Sequence, residues 1–262
     1  MLDAVQFIQY IRTKYKCVTA TTSIQKGIYY CPVITVGGSY PGFLSAMMRF
    51  LHPNIIDAAY AASAPMLFYA QAVEDQFAYY DLITKVADKY SPGCAKNVRV
   101  SLLNVMDVLA KEVISIKEAA KQMGLCFVPS YMQTNIEMFI NEIMMVVGYT
   151  FANYNMANYP PNNETELYEA CQIFEEDSSS FLDKLGTLFQ PYWTTGSTKS
   201  CFDVSTQLPD GPNATISSGD WSGVGSQWSG KMWVFQTCSL LIERIGFSVD
   251  SMFPPRTWTL EE

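Results

Sequence analysis

A strand-like run that stops at a glycine-rich turn is the feature that most constrains the fold of this chain. The strand is predicted over 29–36, and its last residues, Val33-Ile34-Thr35-Val36, are apolar or β-branched, as in a buried parallel strand. After the turn, a helix is predicted over 43–51 and a second strand over 55–62. A strand, a tight turn, a helix and a strand in this order predict a βαβ unit in a parallel sheet, and therefore an α/β fold.

The turn itself, Gly37-Gly38-Ser39-Tyr40-Pro41-Gly42, places a serine between the strand and the helix. A serine at this position has its hydroxyl group projected out of the sheet, as a hydrolase nucleophile requires. Gly37 and Gly38 meet the need for small residues, and the N–H of Tyr40 would be one arm of an oxyanion hole. The alternative is a glycine-rich loop that binds phosphate or only turns the chain. The strands and the helix around the turn favour Ser39 as a nucleophile.

A serine nucleophile needs a base, which is normally a histidine that a carboxylate orients. His52 is the one histidine of the sequence, and it lies at the far end of the helix that follows the turn. Because a helix of about 12 residues is about 18 Å long, His52 is predicted to lie too far from Ser39 to accept its proton. His52 is interpreted as a helix-end residue before Pro53, and the chain is expected to lack the acid and the histidine of a catalytic triad.

The acidic balance of the chain excludes nucleic acid as a partner. The formal net charge is −8 and the 17 lysines and arginines are scattered, whereas nucleic-acid binding needs clustered basic residues. No run of about 18 apolar residues predicts a transmembrane helix. The first residues predict an amphipathic helix over 3–15 and not a signal peptide, so the chain is expected to have lost a segment upstream.

Seven cysteines and two glycosylation sequons indicate an oxidising, secretory-pathway context. The sequons are Asn163-Glu164-Thr165 and Asn213-Ala214-Thr215. The cysteines form no CxxC pairs and have no histidine-rich surroundings, so they predict no zinc or other metal site. Because their number is odd, one thiol is expected to be free or paired with a group outside this chain.

After about residue 70 the sequence pattern becomes helical and then polar. From 74 to about 189 apolar residues recur at helical spacing, as in Val98-Leu102-Val105-Leu109 and Ile136-Phe139-Ile143-Val146. A loop rich in Ser, Thr, Gly, Asp and Asn follows over 191–230. Three regions are therefore expected. They are a partial core with the turn over 1–72, an all-helical insertion with its polar loop over 73–230, and a truncated return towards the core over 231–262.

Several ordered blocks of the sequence resemble the prolyl carboxypeptidase, dipeptidyl peptidase II and thymus-specific serine protease family. The resemblance spans nearly the whole chain and is densest at both ends. Its blocks are Ala4-Val5-Gln6-Phe7-Ile8, the run from Val33 to Gly42, residues 59–65, Asn158-Tyr159-Pro160, the run from Trp233 to Cys238, and Met252-Phe253-Pro254-Pro255.

The resemblance implies an α/β-hydrolase core that is interrupted by an inserted all-helical cap over the active site. It implies a serine exopeptidase without a cofactor, acting on peptides with a proline or a small residue near a terminus. The prolyl carboxypeptidase branch of the family cleaves near the C-terminus of a peptide, and the dipeptidyl peptidase branch cleaves near the N-terminus. By resemblance Ser39 is the nucleophile and Tyr40 a backbone oxyanion donor, while the acid and the histidine would lie beyond Glu262. A secreted, lysosomal or vacuolar location is implied, and oligomerisation stays open.

The resemblance also implies how some cysteines pair. The implied disulfides are Cys94–Cys171 and Cys126–Cys201. Cys238 would pair with a cysteine beyond Glu262, which explains the odd number. Cys17 and Cys31 match no position of the family, so a local bridge and two free thiols both stay open.

Three aromatic residues are candidates for the border of an apolar specificity pocket: Phe43 just after the turn, Trp233 and Phe235. The alternative is that all three lie in the core. Leu240 stands where relatives often have glutamate, which weakens any transfer of detailed specificity. Two other functions also stay open: an esterase or lipase on the same fold, and a catalytically inactive homologue that acts only in binding.

Overall fold

The computed structural model describes residues 1–18, 29–128, 130–176, 179–190, 201–203, 236, 239, 241–242, 244–257 and 259. The chain divides into two compact units, Met1–Glu74 and Asp75–Glu262. Each unit has its own cluster of buried apolar side chains. Several residues singled out in the sequence lie outside the described residues, namely Asn213, Trp233, Phe235, Cys238 and Leu240.

The unit Met1–Glu74 contains a parallel βαβ motif with flanking elements. Its helices are α1 (Leu2–Lys14), α2 (Ser39–Leu51) and α3 (Met66–Tyr69), and its strands are β1 (Cys17–Val18), β2 (Tyr29–Tyr30), β3 (Ile34–Gly38) and β4 (Ala58–Ala62). β3 pairs with β4 in parallel, from Ile34 opposite Ala58 to Gly38 opposite Ala62, and β1 pairs in parallel with β2. The predicted order of strand, turn, helix and strand is confirmed.

Both predicted strands are longer than the observed ones. The strand predicted over 29–36 is interrupted between β2 and β3 at Pro32, which has no N–H to donate to a neighbouring strand. The strand predicted over 55–62 begins only at Ala58, because the residues before it form a turn whose N–H groups donate to His52 O at 3.0 Å. Local backbone chemistry therefore shortens each apolar run.

A partly buried ion pair holds α1 at the amino ends of β3 and β4. Arg12 is buried, and its Nη2 atom donates to Cys31 O at 3.0 Å and to Asp57 Oδ2 at 3.1 Å. The same oxygen of Asp57 accepts a hydrogen bond from Val33 N at 2.7 Å. Removing either partner would leave a charge without its counterpart, so the pair fixes α1 against the strands.

The unit Asp75–Glu262 is mainly helical in its described part. Its helices are α4 (Ala78–Tyr90), α5 (Cys94–Ala110), α6 (Ile116–Gln122), α7 (Ser130–Gln133), α8 (Ile136–Met156), α9 (Glu166–Glu175) and α10 (Phe181–Phe189). Two short described strands, β5 (Leu125–Phe127) and β6 (Phe202–Asp203), pair in parallel. Four helices have an N-cap residue whose side-chain oxygen accepts a hydrogen bond from a backbone N–H in the first turn. These N-cap residues are Ser115, Asn135, Thr165 and Ser180. Among the described residues, none of the helices combines the length and the hydropathy that a membrane-spanning segment requires.

α5 and α8 carry the core of the helical unit. Their inward faces bury the residues that the sequence pattern places at helical spacing, among them Val98, Leu102, Val105 and Leu109 on α5 and Phe139, Ile143 and Val146 on α8. The predicted helical periodicity is therefore confirmed for these two segments. Packing of amphipathic faces, more than intrinsic propensity, accounts for the stability of such helices.

Three disulfides join described cysteines. They are Cys17–Cys31, Cys94–Cys171 and Cys126–Cys201. The last two are the pairs that the resemblance implies. For Cys17 and Cys31 the sequence leaves open a local bridge or two free thiols, and the structure has the local bridge. The first bridge closes a short loop in the unit Met1–Glu74, whereas the other two lie in the helical unit, where one of them joins α5 to α9.

The described residues 244–257 pack against the helices of the unit Asp75–Glu262. Met252 and Phe253 are buried in the same core as α5 and α8, and the N–H of Met252 donates to Thr84 Oγ1 on α4 at 3.1 Å. This segment is the main described part of the third predicted region, 231–262. The division into three regions and the role of the helices as a cap stay predictions.

Candidate active site

Ser39 lies where β3 meets α2, and its backbone has a positive φ of 55°. This left-handed conformation costs about 1 kcal/mol or more for a residue that carries a Cβ atom. The sequence predicts that this helix starts at residue 43, but α2 begins at Ser39. It begins there because Gly38 is extended and forms the N-cap (φ −117°, ψ 153°). The Ser39 side chain is exposed. A strained, exposed serine between a parallel strand and a helix has the geometry of a nucleophile elbow.

Two glycines allow the backbone to make this turn. A Cβ atom on Gly37 would lie 2.2 Å from Pro41 O, and one on Gly42 would lie 3.0 Å from Ala62 O. At Gly38 the nearest atom would be 3.7 Å away, which is ordinary contact. The tight approach of strand and helix therefore depends on Gly37 and Gly42. The sequence pattern pointed to Gly38 for this role and missed Gly42, since the usual motif has its second glycine one position earlier.

The first turn of α2 directs backbone N–H groups towards the position of Ser39. Tyr40 is the second residue of α2, so its N–H belongs to the positive end of the helix dipole. Pro41 follows and lacks an N–H, which is tolerated in a first turn because no intrahelical bond is lost. An oxyanion that forms on a carbonyl attacked by Ser39 would be stabilised by this helix terminus.

A buried polar contact fastens α2 to the strands beneath the turn. Ser45 is buried, and its Oγ atom donates to Thr35 Oγ1 at 2.9 Å and lies 3.2 Å from Tyr60 O. Thr35 Oγ1 in turn donates to Ser45 O at 3.2 Å. One side chain of the helix thus contacts both β3 and β4. No sequence pattern predicts this contact, because a lone serine in a helical pattern is usually exposed.

Neither His52 nor Asp57 lies close enough to Ser39 to accept its proton. His52 is the C-cap of α2, at the other end of a 13-residue helix, and a helix of that length spans about 20 Å. Asp57 precedes β4 and contacts Arg12, so it lies at the amino edge of the sheet, whereas Ser39 follows the carboxyl end of β3. No group of three or more His, Cys, Asp or Glu residues suited to a metal ion occurs in the described part of the chain.

An aromatic cluster lies beside the turn. The ring of Phe43 is 5.1 Å from that of Tyr69 and 6.4 Å from that of Tyr40, measured between centroids. Tyr40 and Tyr69 are also 6.4 Å apart. All three side chains are half-buried, so Phe43 lies at the border of a cluster and not in a fully buried core. Tyr69 was not apparent from the sequence because it ends α3, a separate element after β4.

Comparison with known proteins relates the chain to peptidases. The family model described as serine carboxypeptidase S28 matches residues 1–243. A protein named lysosomal Pro-X carboxypeptidase from Mus musculus is 28% identical over 243 residues, which cover 88% of this chain and 44% of the mouse protein.

Relatives from two other species give the same picture. The lysosomal Pro-X carboxypeptidase of Homo sapiens is 25% identical over 242 residues, covering 88% of this chain and 44% of the human protein. Prolyl carboxy peptidase like protein 5 from Caenorhabditis elegans is 25% identical over 235 residues, covering 83% of this chain and 42% of the nematode protein. The chain thus spans less than half the length of the curated relatives that it matches.

Proposed function

Because the chain belongs to the serine carboxypeptidase S28 family, we propose that it represents a serine exopeptidase whose nucleophile is Ser39. Membership confirms the family that the sequence resembles, and it makes the chain a serine-type peptidase by family, with an α/β-hydrolase fold. The observation that carries the assignment of Ser39 is its left-handed backbone at the junction of β3 and α2.

The proposed reaction begins with attack of Ser39 Oγ on the carbonyl carbon of a peptide bond near a chain terminus. The hydroxyl proton passes to a base, and the carbonyl oxygen becomes an oxyanion beside the Tyr40 N–H. The C–N bond then breaks, and the amine leaves with the proton that the base returns. The acyl group stays on Ser39 as an ester until water hydrolyses it.

In this proposal the described residues of the unit Met1–Glu74 supply neither the base nor the acid of the reaction. His52 is the one histidine of the chain, and it lies at the opposite end of α2 from Ser39. Asp57 is engaged with Arg12 at the other edge of the sheet. The structure thus supports a nucleophile and an oxyanion donor, with proton transfer left to groups outside these residues.

The substrate is a peptide with a proline, or a small residue, next to the bond that is cleaved. Three relatives from mouse, human and nematode have names that refer to prolyl or Pro-X carboxypeptidases. The half-buried face of Phe43 with Tyr40 and Tyr69 suits a pyrrolidine ring, because a compact apolar ring packs on aromatic faces without needing a hydrogen-bond partner. Trp233 and Phe235, the other two candidates for the border of a specificity pocket, lie outside the described residues.

The cellular setting and the helical unit belong to the same proposal. The lysosomal relatives and the three disulfides support a lysosomal or secreted protein. In this proposal the helices α4 to α10 form a cap that helps to select substrates. Assembly of several copies of the chain is compatible with this role.

A second candidate function is a binding protein without catalysis. The separation of His52 from Ser39 favours it, because a serine without a base is a weak nucleophile at neutral pH. The esterase or lipase alternative has the family match against it.

Activated esters with added imidazole test these candidates, because imidazole can take the place of the missing base. The full chain is incubated with p-nitrophenyl esters of an N-blocked peptidyl-proline, of a dipeptide Xaa-Pro with a free amine, and of a fatty acid. Intact-mass spectrometry then measures the acyl adduct, and Ser39→Ala is the control. We expect an imidazole-dependent adduct on Ser39 that forms fastest with the N-blocked prolyl ester.

Each other outcome has a defined meaning. Faster reaction of the free-amine dipeptide would place the chain in the dipeptidyl peptidase branch, and faster reaction of the fatty ester would support the esterase. An adduct that is equally abundant in Ser39→Ala would contradict the proposed nucleophile. Absence of any adduct in a chain that retains its helical circular dichroism would favour the binding protein.

A further inference from the structure

The helical unit contains a polar cleft that has no role in the proposed reaction. Its volume is about 250 Å³, and Ile173 is the one purely apolar residue among the nine described residues that line it. Pockets for drug-sized ligands have volumes of about 300–1,000 Å³. The cleft is therefore suited in size to a single ring, with polar groups available from eight of the nine described residues that line it.

The charges around the cleft disfavour a free anion. Glu169, Glu176 and Lys184 line it, and their formal charges sum to a negative value. Lys184 is 5% exposed, and its Nζ atom donates to Phe174 O, at the end of α9, at 3.3 Å. An ammonium group has three N–H donors, so it can still donate to a neutral acceptor. Acidic and basic groups around one polar cleft suit a neutral ligand with many hydroxyl and amide groups, such as a sugar.

One residue of the cleft is itself an attachment point for such a ligand. Asn163 lines the cleft, is exposed in the turn before α9, and is the first residue of the sequon Asn163-Glu164-Thr165. Its neighbour Asn162 shapes the turn, because Asn162 Oδ1 accepts from Glu164 N at 2.7 Å. The amide group of Asn163 is not used in that turn, so modification would leave the turn unchanged.

We infer that Asn163 carries an N-linked glycan whose first N-acetylglucosamine lies in this cleft. The aromatic face of Tyr168, half-buried in the cleft, would pack on the sugar ring, while Gln172 and Lys184 donate hydrogen bonds to its acetamide and hydroxyl oxygens. The disulfides of the chain fit the oxidising compartment in which such glycans are attached. The sugar would then fasten the start of α9 to α10.

The attachment is a transfer that balances without a redox partner. The Nδ2 atom of Asn163 forms a bond to C1 of the first N-acetylglucosamine and loses a proton. The bond from C1 to a polyprenyl pyrophosphate breaks, and that pyrophosphate leaves. The donor is a lipid-linked oligosaccharide, which the secretory pathway provides, and the acceptor sequence is read before the chain folds.

The test compares glycosylated and trimmed forms of the full chain made in a secreting eukaryotic host. Peptide mass spectrometry after enzymatic deglycosylation in heavy-oxygen water measures occupancy of Asn163, in secreted chain and in chain retained in the cell. Endoglycosidase trimming leaves one sugar, and Asn163→Gln has none. We expect amide exchange over 166–176 to be about fivefold faster in Asn163→Gln than in the single-sugar form, as for the loss of one or two hydrogen bonds.

Matched variants separate contact from mere attachment. Tyr168→Ala should keep the glycan and abolish the difference in exchange, while Asn213→Gln should leave exchange over 166–176 unchanged. Thr165→Ser keeps both the sequon and the helix cap, so it should behave like the natural chain. An unmodified Asn163 would overturn the inference, and so would an occupied Asn163 whose single-sugar form exchanges as fast as Asn163→Gln.

Discussion

The two units of the molecule differ in how they cover their apolar side chains. In the helical unit α5 and α8 bury long rows of apolar residues in one core. In the unit Met1–Glu74 the buried cluster consists of Val5, Ile55 and Ile56. Ile34 and Val36 lie on one face of the sheet in this unit, and their side chains are 61% and 70% exposed. The unit that carries Ser39 therefore has the candidate nucleophile and four of the five described non-glycine residues with a positive φ, whereas most of the stabilising packing is in the other unit.

This difference indicates that the geometry at Ser39 depends on local contacts. The positive φ of Ser39 is maintained by close backbone approach at Gly37 and by the Ser45 contact to both strands, not by a large core. Strained residues persist only where their surroundings determine them. Changes within the turn should therefore act on this unit alone, and changes in the helical core on the other.

The largest expected effect comes from the disulfides, which close loops of different length in the two units. Cys94–Cys171 has a sequence separation of 77 and Cys17–Cys31 one of 14. Replacing both cysteines by alanine should cost about 4.5 kcal/mol for the first pair and about 3 kcal/mol for the second, because the longer loop constrains the unfolded chain more. Urea unfolding combined with amide exchange of α5 and of β3 measures the two losses. If removal of the two disulfides lowered the free energy of unfolding by the same amount, loop length would not explain the difference between the two units.

The next effect concerns Gly37, for which Gly38 is a matched control. In Gly37→Ala the new Cβ atom would meet Pro41 O at 2.2 Å, so the turn must open, at a cost of about 4 kcal/mol. In Gly38→Ala the nearest atom is 3.7 Å away, and the cost should stay below about 1 kcal/mol. Amide exchange over 34–62 measures both changes. If the two variants exchange alike, the turn is not held by close packing at Gly37.

A smaller effect is expected from shortening apolar side chains in each unit. Leu102 is fully buried in the helical core, so Leu102→Ala should cost about 3 kcal/mol. Ile34 is mostly exposed, and Ile34→Ala should change stability by less than about 0.5 kcal/mol. Chemical denaturation of both variants compares the two sites. A large loss for Ile34→Ala would show that the exposed face of the sheet is covered in solution.

The smallest effect is a pH dependence in the helical unit. Burial raises the pKa of Glu142 on α8, while the charge of Arg256 lowers it to a smaller extent. The folded state then holds this proton at a pH where the unfolded state has lost it, so stability falls as pH rises above the ordinary glutamate pKa. Glu142→Gln should match the natural chain at acidic pH and melt at a higher temperature at neutral pH. If Glu142→Gln melts at a lower temperature than the natural chain at neutral pH, the expected direction of the pH dependence is wrong.

Much of the elbow was predictable because its pattern is local. A β-branched run, two glycines and a serine lie within a few positions of one another, and the helix and strand that follow confirm the βαβ order. The start of α2 was misplaced because the strain at Ser39 lets the helix begin inside the turn. Contacts between distant positions were not predictable, such as Ser45 with Tyr60 O, because burial of one serine depends on how the elements pack. The pairing of β5 with β6 belongs to the same class, since the two strands are short and far apart in sequence.

The most direct test of the account is labelling of Ser39 by a fluorophosphonate probe, because the probe reacts only with an activated serine hydroxyl. The full 262-residue chain is treated with the probe, alone and with added imidazole, and mass spectrometry locates the adduct. An elbow without a base predicts no labelling of the chain alone and labelling of Ser39 when imidazole is present, with none in Ser39→Ala. Strong labelling of Ser39 without imidazole would contradict the account, because it would require a base within this chain.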